Sequence, residues 1–211
     1  MVKAAIIGCG KIAQVRHIPE YLEHQAVNLV GFYDLNEKRA EELAEKYGGK
    51  AYGSVEELLA DPQIDAVSIC TANHTHAELT IKALKAGKHV LCEKPMAITL
   101  EECQRMVECA EENHRKLLIG QNQRLTRTHQ MARKLIADGE IGNVLSFQTS
   151  FQHSGPESWS VDAGKNTWFF QKKAAAMGVM GDLGIHKTDL IQYLLDDQIV
   201  EVTAEFSTLD K

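Results

Sequence analysis

Gly8-Cys9-Gly10-Lys11-Ile12-Ala13 follows a short apolar run, Ala4–Ile7, and opens an amphipathic stretch. The pattern is G-x-G-x-x-A, a dinucleotide fingerprint. Gly8 permits a tight turn. Gly10 lets a pyrophosphate approach the backbone, and Ala13 lets helix and strand pack closely. Lys11, Ile12 and Ala13 begin a helix whose exposed N–H groups and partial positive charge suit phosphate. A bare glycine turn would look the same over six residues, so the next acid matters. The fingerprint expects one about 20 residues on, at the end of the second strand. Asp34 stands there, after Val30-Gly31-Phe32-Tyr33. Its carboxylate can accept from an adenosine ribose and would repel a 2′-phosphate, which favours NAD over NADP. Lys38 and Arg39 lie close enough to keep NADP open.

These residues need a frame to hold them. Up to residue 120 the chain alternates apolar runs with amphipathic patterns. Strands are expected at Lys3–Ile7, Val27–Tyr33, Ala66–Cys70, His89–Cys92 and Lys116–Ile119. Helices are expected over Lys11–Glu23 with a kink at Pro19, Asn36–Tyr47, a short run opened by the capping box Ser54-Val55-Glu56-Glu57, Thr75–Ala86 closed by Gly87, and a run after the capping box Thr99-Leu100-Glu101-Glu102. Strands with little alternation, separated by helices, imply a doubly wound parallel sheet covered on both faces. In such a sheet ligands bind beyond the carboxyl ends of the strands. Gly8, Asp34, Thr71, Asn73, Glu93 and Lys94 would then line one crevice.

The pattern changes near Gly120–Arg124, which places a domain boundary there: 1–121 and 122–211. Thr126–Asp138 reads as a helix ended by Gly139, and Met180–Leu195 as another. Asn143–His153 and Ile199–Thr208 alternate like strands, with a polar loop at Ser154–Thr167 between. The second part is therefore α+β with an open, mainly antiparallel sheet. Val144, Phe147, Phe151, Ile199, Val202 and Phe206 need cover on that sheet, so either a partner supplies it or the chain is a fragment; the second is favoured.

The balance of 23 Lys+Arg against 29 Asp+Glu, net −6, argues against nucleic-acid or anionic-membrane partners. No apolar run approaches the roughly 20 residues of a bilayer span, and the first one stops at Gly8, unlike a signal peptide. The 5 cysteines form no C-x-x-C pair. They read as reduced thiols of a cytoplasmic protein, with no metal site.

Thr71-Ala72-Asn73-His74-Thr75-His76 and Cys92-Glu93-Lys94-Pro95 stand at the ends of two of the expected strands. With the glycine fingerprint they resemble the Gfo/Idh/MocA oxidoreductases, the family of glucose–fructose oxidoreductase and inositol dehydrogenase. That family typically carries T-x-N-x-x-H and E-K-P at these places. Asp182-Leu183-Gly184-Ile185-His186 is similar to its D-x-x-x-H pair at a helix start. Two places on the substrate side depart from the family pattern: Ala175-Ala176-Met177-Gly178 before the aspartate, and Phe169 after Trp168.

The resemblance implies hydride transfer between NAD, or NADP, and a secondary alcohol or ketone of a sugar, inositol or related polyol. Lys94 would polarise the carbinol oxygen, with a Lys94–Pro95 bond that is commonly cis in the family. An ammonium there stabilises a developing alkoxide. His186 would exchange the proton, its ordinary pKa of about 6.5 suiting the task, and Asp182 would assist. Thr71, Asn73, His76, Glu93 and Gln123 fall on the cofactor side, Glu93 at the nicotinamide ribose. Arg124, His153, Trp168 and His17 are weaker candidates, and Asp189 is a supporting polar residue. Self-association through the second-domain sheet is also implied. A non-catalytic NAD(P)-binding sensor would keep Gly8, Gly10 and Asp34 but has no need of Lys94, Asp182 and His186 together. A glycoside lyase or hydrolase using NAD transiently would form product without net NADH.

Overall fold

The computed structural model describes residues 1–162 and 167–207. Six strands, β1 (Val2–Ile7), β2 (Val27–Tyr33), β3 (Lys50–Ala51), β4 (Ala66–Ile69), β5 (His89–Cys92) and β6 (Leu117–Ile119), form one sheet in the order β3-β2-β1-β4-β5-β6. All five pairings are parallel. The chain winds outward from β1 to one side, then returns to β4 and winds outward to the other. The direction of winding reverses between β1 and β4, the place at which open parallel sheets bind ligands.

Neighbouring residues of β1 feed opposite faces of the sheet. Ala5 and Ile7 join one apolar cluster with Leu58, Val67, Ile69, Leu84 and Met106, whereas Ile6 joins a second with Cys9, Ala13, Ile18 and Phe32. Burial on both faces is why these strands carry little alternation.

The helices start where side chains satisfy their open N–H groups. Asn36 accepts from Arg39 N at the start of α2 (Glu37–Tyr47). Ser54 Oγ accepts from Glu57 N at α3 (Val55–Ala60), while Glu57 reaches back to Gly53 N. Thr99 accepts from Glu102 N at α5 (Leu100–Glu112), and Glu102 accepts from Ile98 N. Between α3 and α5, α4 (His76–Lys85) is closed by Gly87 at φ 77°. The helix after the glycine loop spans 11–23. Its turn Ala13–His17 is π-wound, with Ile18 N donating to Ala13 O, and it continues as α1 (Ile18–Glu23). Pro19 has no N–H to donate, and the widened turn lies just ahead of it.

The chain divides into two compact units: Met1–Gly120 with Gln152–Ile185, and Gln121–Phe151 with the residues from His186 on. The first unit includes the short helix α7 (Lys172–Ala175) and a π turn Met180–Gly184. The second holds α6 (Arg127–Ala137), capped by Thr126, and most of α8 (Ile185–Leu195).

The two strands expected here are corrected by the structure: neither 143–153 nor 199–207 forms a strand. Alternation encodes a face, but a strand also needs a ladder partner, and these segments do not pair with each other. Val202 and Phe206 stay 76% and 64% exposed rather than covered. Thr208, the last residue of the second expected strand, and Gly164 of the loop lie outside the described residues. Among the described residues no helix is long and apolar enough to cross a membrane, and no group of three or more His, Cys, Asp or Glu is placed to hold a metal ion.

Candidate active site

The glycine loop is shaped by its own packing at one position and left open at another. Gly8 has φ 93°, and a Cβ there would stand 2.8 Å from the Cys70 carbonyl and from Thr71 Cγ2. Only glycine fits against the end of β4. At Gly10 a Cβ would meet nothing within 4 Å. Its missing side chain serves no contact within the protein and leaves room above the helix start, as a dinucleotide pyrophosphate requires. Ala13 is fully buried against the sheet, and Lys11 and Ile12 complete the first turn.

Asp34, at the end of β2, ties this loop together. Its Oδ2 accepts from Cys9 N at 2.7 Å and its Oδ1 from Asn36 N at 2.8 Å. Arg39 Nη1 approaches Oδ1 at 3.2 Å, and Arg39 Nη2 reaches Asp162 Oδ1 at 2.5 Å. An acid for a ribose and a cation for a phosphate therefore sit side by side. The loop, the open helix start and this acid fit a dinucleotide.

Lys94 follows β5, and its bond to Pro95 is cis. Its ammonium donates to Asp182 O at 2.8 Å and to Asp182 Oδ1 at 3.2 Å. His153 Nε2 lies 3.4 Å from the other carboxylate oxygen. Lysine and aspartate, 88 positions apart in sequence, thus meet at the end of β5. The π turn Met180–Gly184 holds the aspartate there. The Met180 side chain lies over Gly184, where a Cβ would come within 2.5 Å of its Sδ and the methionine would have to move. Glu93 is drawn inward instead of outward: Oε1 accepts from His17 Nε2 at 2.8 Å and Oε2 from Lys94 N at 3.1 Å. Burial pushes its carboxyl up, but the hydrogen bonds from His17 and the Lys94 amide outweigh this and hold it below the usual range.

Three other candidates at the strand ends are held by hydrogen bonds, to their own loop, to α7 and to the loop after β5. Thr75 Oγ1 donates to Ala72 O at 2.8 Å, so Thr71 Oγ1 donates to Thr75 at 2.7 Å. Asn73 Nδ2 donates to Ala175 O at 3.1 Å. His76 is fully buried, with Nδ1 2.7 Å from Pro95 O and Nε2 3.1 Å from Thr71 O. Burial pushes its pKa down, against these two carbonyls. His76 links the loop after β4 to the loop after β5.

In the second unit, His186 is buried at the start of α8, its ring 5.7 Å from that of Phe151. Gln123 Oε1 accepts from Lys187 Nζ at 3.0 Å. Next to it, Arg124 binds the buried Asp189 with both Nε, at 2.7 Å, and Nη2. Successive residues after β6 are therefore fastened to α8. The sequence reading did not pair Arg124 with Asp189. It also did not single out Ser68, a fully buried hydroxyl within the apolar run of β4. A lone serine in such a run was a usable signal, since a buried hydroxyl needs a partner.

Residues 2–121 match the family described as "Oxidoreductase family, NAD-binding Rossmann fold", and residues 129–211 match the "GFO/IDH/MocA C-terminal domain". The chain is 34% identical over 211 residues to glucose-6-phosphate 3-dehydrogenase of Bacillus subtilis, covering 99% of this chain and 58% of that one. It is 31% identical over 209 residues to myo-inositol 2-dehydrogenase of Thermotoga maritima, covering 99% and 59%. The chain thus spans somewhat more than half the length of these relatives. Among solved structures it is similar to aldose-aldose oxidoreductase from Caulobacter crescentus complexed with glycerol, with a TM-score of 0.80 and 28% identity over 92% of this chain and 58% of the other.

Proposed function

The chain belongs to the Gfo/Idh/MocA oxidoreductase family, with an NAD-binding Rossmann fold over residues 2–121, and on that premise we propose that it oxidises or reduces a secondary alcohol or ketone of a sugar, inositol or related polyol. The observation that carries this reading is the Lys94 ammonium held on Asp182 beyond the end of β5, in a sheet whose glycine loop fits a dinucleotide.

Gly8, Gly10, Lys11, Ile12 and Ala13 would hold the pyrophosphate and Asp34 the adenosine ribose, with NAD preferred to NADP. Thr71, Asn73 and Gln123 would serve the nicotinamide half directly, Glu93 through the Lys94 main chain it holds, and His76 through the two loops it links. When bound, the nicotinamide supplies the hydride acceptor or donor. Lys94 Nζ then donates to the substrate oxygen and stabilises negative charge as it builds there. Asp182 orients that ammonium, and a ring nitrogen of His186 takes or returns the hydroxyl proton.

The division into 1–121 and 122–211 is proposed as the domain boundary. A cytoplasmic location and self-association through the second domain complete the reading. The net charge of −6 supports the expectation of no nucleic-acid or membrane partner.

The test is NAD(P)H absorbance with a panel of aldoses, sugar phosphates, glycosides and inositols. Turnover that falls by about 10²–10³-fold in Lys94→Met is expected. Tight NAD binding with no turnover on any member would replace this reading with that of a sensor.

A further inference from the structure

Glu93 is held by a buried hydrogen-bonded chain that begins on the helix after the glycine loop. Tyr21 OH lies 2.5 Å from Ser68 Oγ, Ser68 Oγ 3.3 Å from His17 Nδ1, and His17 Nε2 2.8 Å from Glu93 Oε1. One set of directions satisfies every atom. Tyr21 donates to Ser68, Ser68 to His17 Nδ1, and His17 Nε2–H to the carboxylate. Burial pushes the Tyr21 phenol up, which keeps it a donor. Glu93 Oε2 accepts the main-chain N–H of Lys94.

The far side of the carboxylate is closed by backbone. A Cβ on Gly120, just past β6, would lie 3.2 Å from Glu93 Cδ and both oxygens. His17, Ser68 and Glu93 are all nearly closed to solvent, with side chains of His17 and Glu93 7% and 12% exposed. In such surroundings a charge-assisted hydrogen bond is strong and its loss is costly.

We infer that His17 is a positioning residue: through Glu93 it fixes the main chain at Lys94, so that the helix carrying the glycine loop and the loop carrying the lysine are fastened as one body. This rests on the oxidoreductase reading for its catalytic consequence but not for its geometry. The His17 ring spends its two nitrogens on Ser68 and Glu93. Its effect passes through one carboxylate, whose two oxygens serve the two elements. The π turn Ala13–His17 is where the ring leaves its helix towards β5. Gly120 fits the arrangement as well, because a Cβ there would press on the carboxylate at 3.2 Å and shift it by a few tenths of an ångström against its two partners.

The experiment uses His17→Ala, His17→Gln and Gly120→Ala, with amide hydrogen exchange by NMR and steady-state kinetics. The glutamine amide nitrogen reaches about as far as Nε2 and can donate to Glu93. In His17→Ala and Gly120→Ala the Lys94 amide should exchange faster by roughly tenfold or more, as a local opening, while the Val67 and Ile69 amides in β4 stay unchanged. In His17→Gln protection should return. Turnover should follow: kcat down by roughly 10- to 100-fold in the alanine variants, with KM for the sugar and Kd for NAD within about threefold, and recovery in His17→Gln. An unchanged Lys94 amide in both alanine variants would overturn the inference. So would KM and Kd rising in place of a falling kcat. If the native protein turns over no polyol, the oxidoreductase reading fails, and the exchange rates still decide whether His17 holds the Lys94 main chain.

Discussion

Arg39 Nη1 lies 3.2 Å from Asp34 Oδ1, so the acid on which the glycine loop rests already carries a cation. The pair presents both chemistries that distinguish the two nicotinamide dinucleotides, a carboxylate for a ribose diol and a guanidinium for a phosphate. Asp34→Ala should weaken NAD by about tenfold, the loss of about 1.4 kcal/mol, and NADP by less. Arg39→Ala should do the reverse. Fluorescence titration of both reduced cofactors measures this, and tighter native binding of NADP than of NAD would remove the basis for the preference.

The two glycines of the loop should separate in mutation. Gly8→Ala forces a Cβ to 2.8 Å from backbone at φ 93°, and strain of this kind costs on the order of 1–3 kcal/mol. Its thermal midpoint should fall. Gly10→Ala meets no protein atom within 4 Å, so stability should change by no more than about 0.5 kcal/mol while NAD affinity drops. Calorimetry and titration on the same two variants check both halves.

Lys94→Met should lower kcat by about 10²–10³-fold, the range for removing one donor to a developing oxyanion. NAD affinity should stay within a few-fold, because the ammonium is spent on Asp182 and the substrate. Single-turnover kinetics with deuterated substrate would show whether the hydride step itself slows.

Burial pushes the Cys9 and Cys92 thiols up to about 12, from an ordinary 9.0. The folded chain therefore keeps protons that the unfolded chain gives up. These thiols make no demand below pH 9, and stability falls as the pH rises from 9 towards 12. Urea midpoints against pH should show this loss, shallower in Cys92→Ala. In neutral solution Cys103, half-exposed, should be alkylated well before either of them.

What the sequence disclosed and what it withheld follow from the range of each interaction. The glycine loop, Asp34, the capping boxes and the five longer strands depend on near neighbours, and they stand where local chemistry puts them. The two-residue β3 is too short to leave a pattern. The π turns break the 3.6-residue period without a residue type that marks them in advance, although Pro19 lies just beyond one and the Met180–Gly184 contact sits inside the other. Alternation at 143–153 and 199–207 described a face without supplying its ladder partners. Glu93 was legible as part of a motif, but its inward turn was not, because His17, Ser68 and Tyr21 reach it from a helix and a strand far along the chain.

The reversal of winding at β1 also sets an order of events for the growing polypeptide. Lys3 N is bound to Asp65 across 62 positions, and Gly8 acquires its wall only when Cys70 arrives beside it. Until β4 has been synthesised and seated, the fingerprint is a glycine-rich turn without a floor. Non-local closures of this kind are slow compared with helix formation. A ribosome-bound chain ending before Cys70 should therefore show no protection of its first turn by NAD. The nucleotide acts as a witness to a sheet already half built, and a ligand of the completed topology cannot serve as the seed from which it grows.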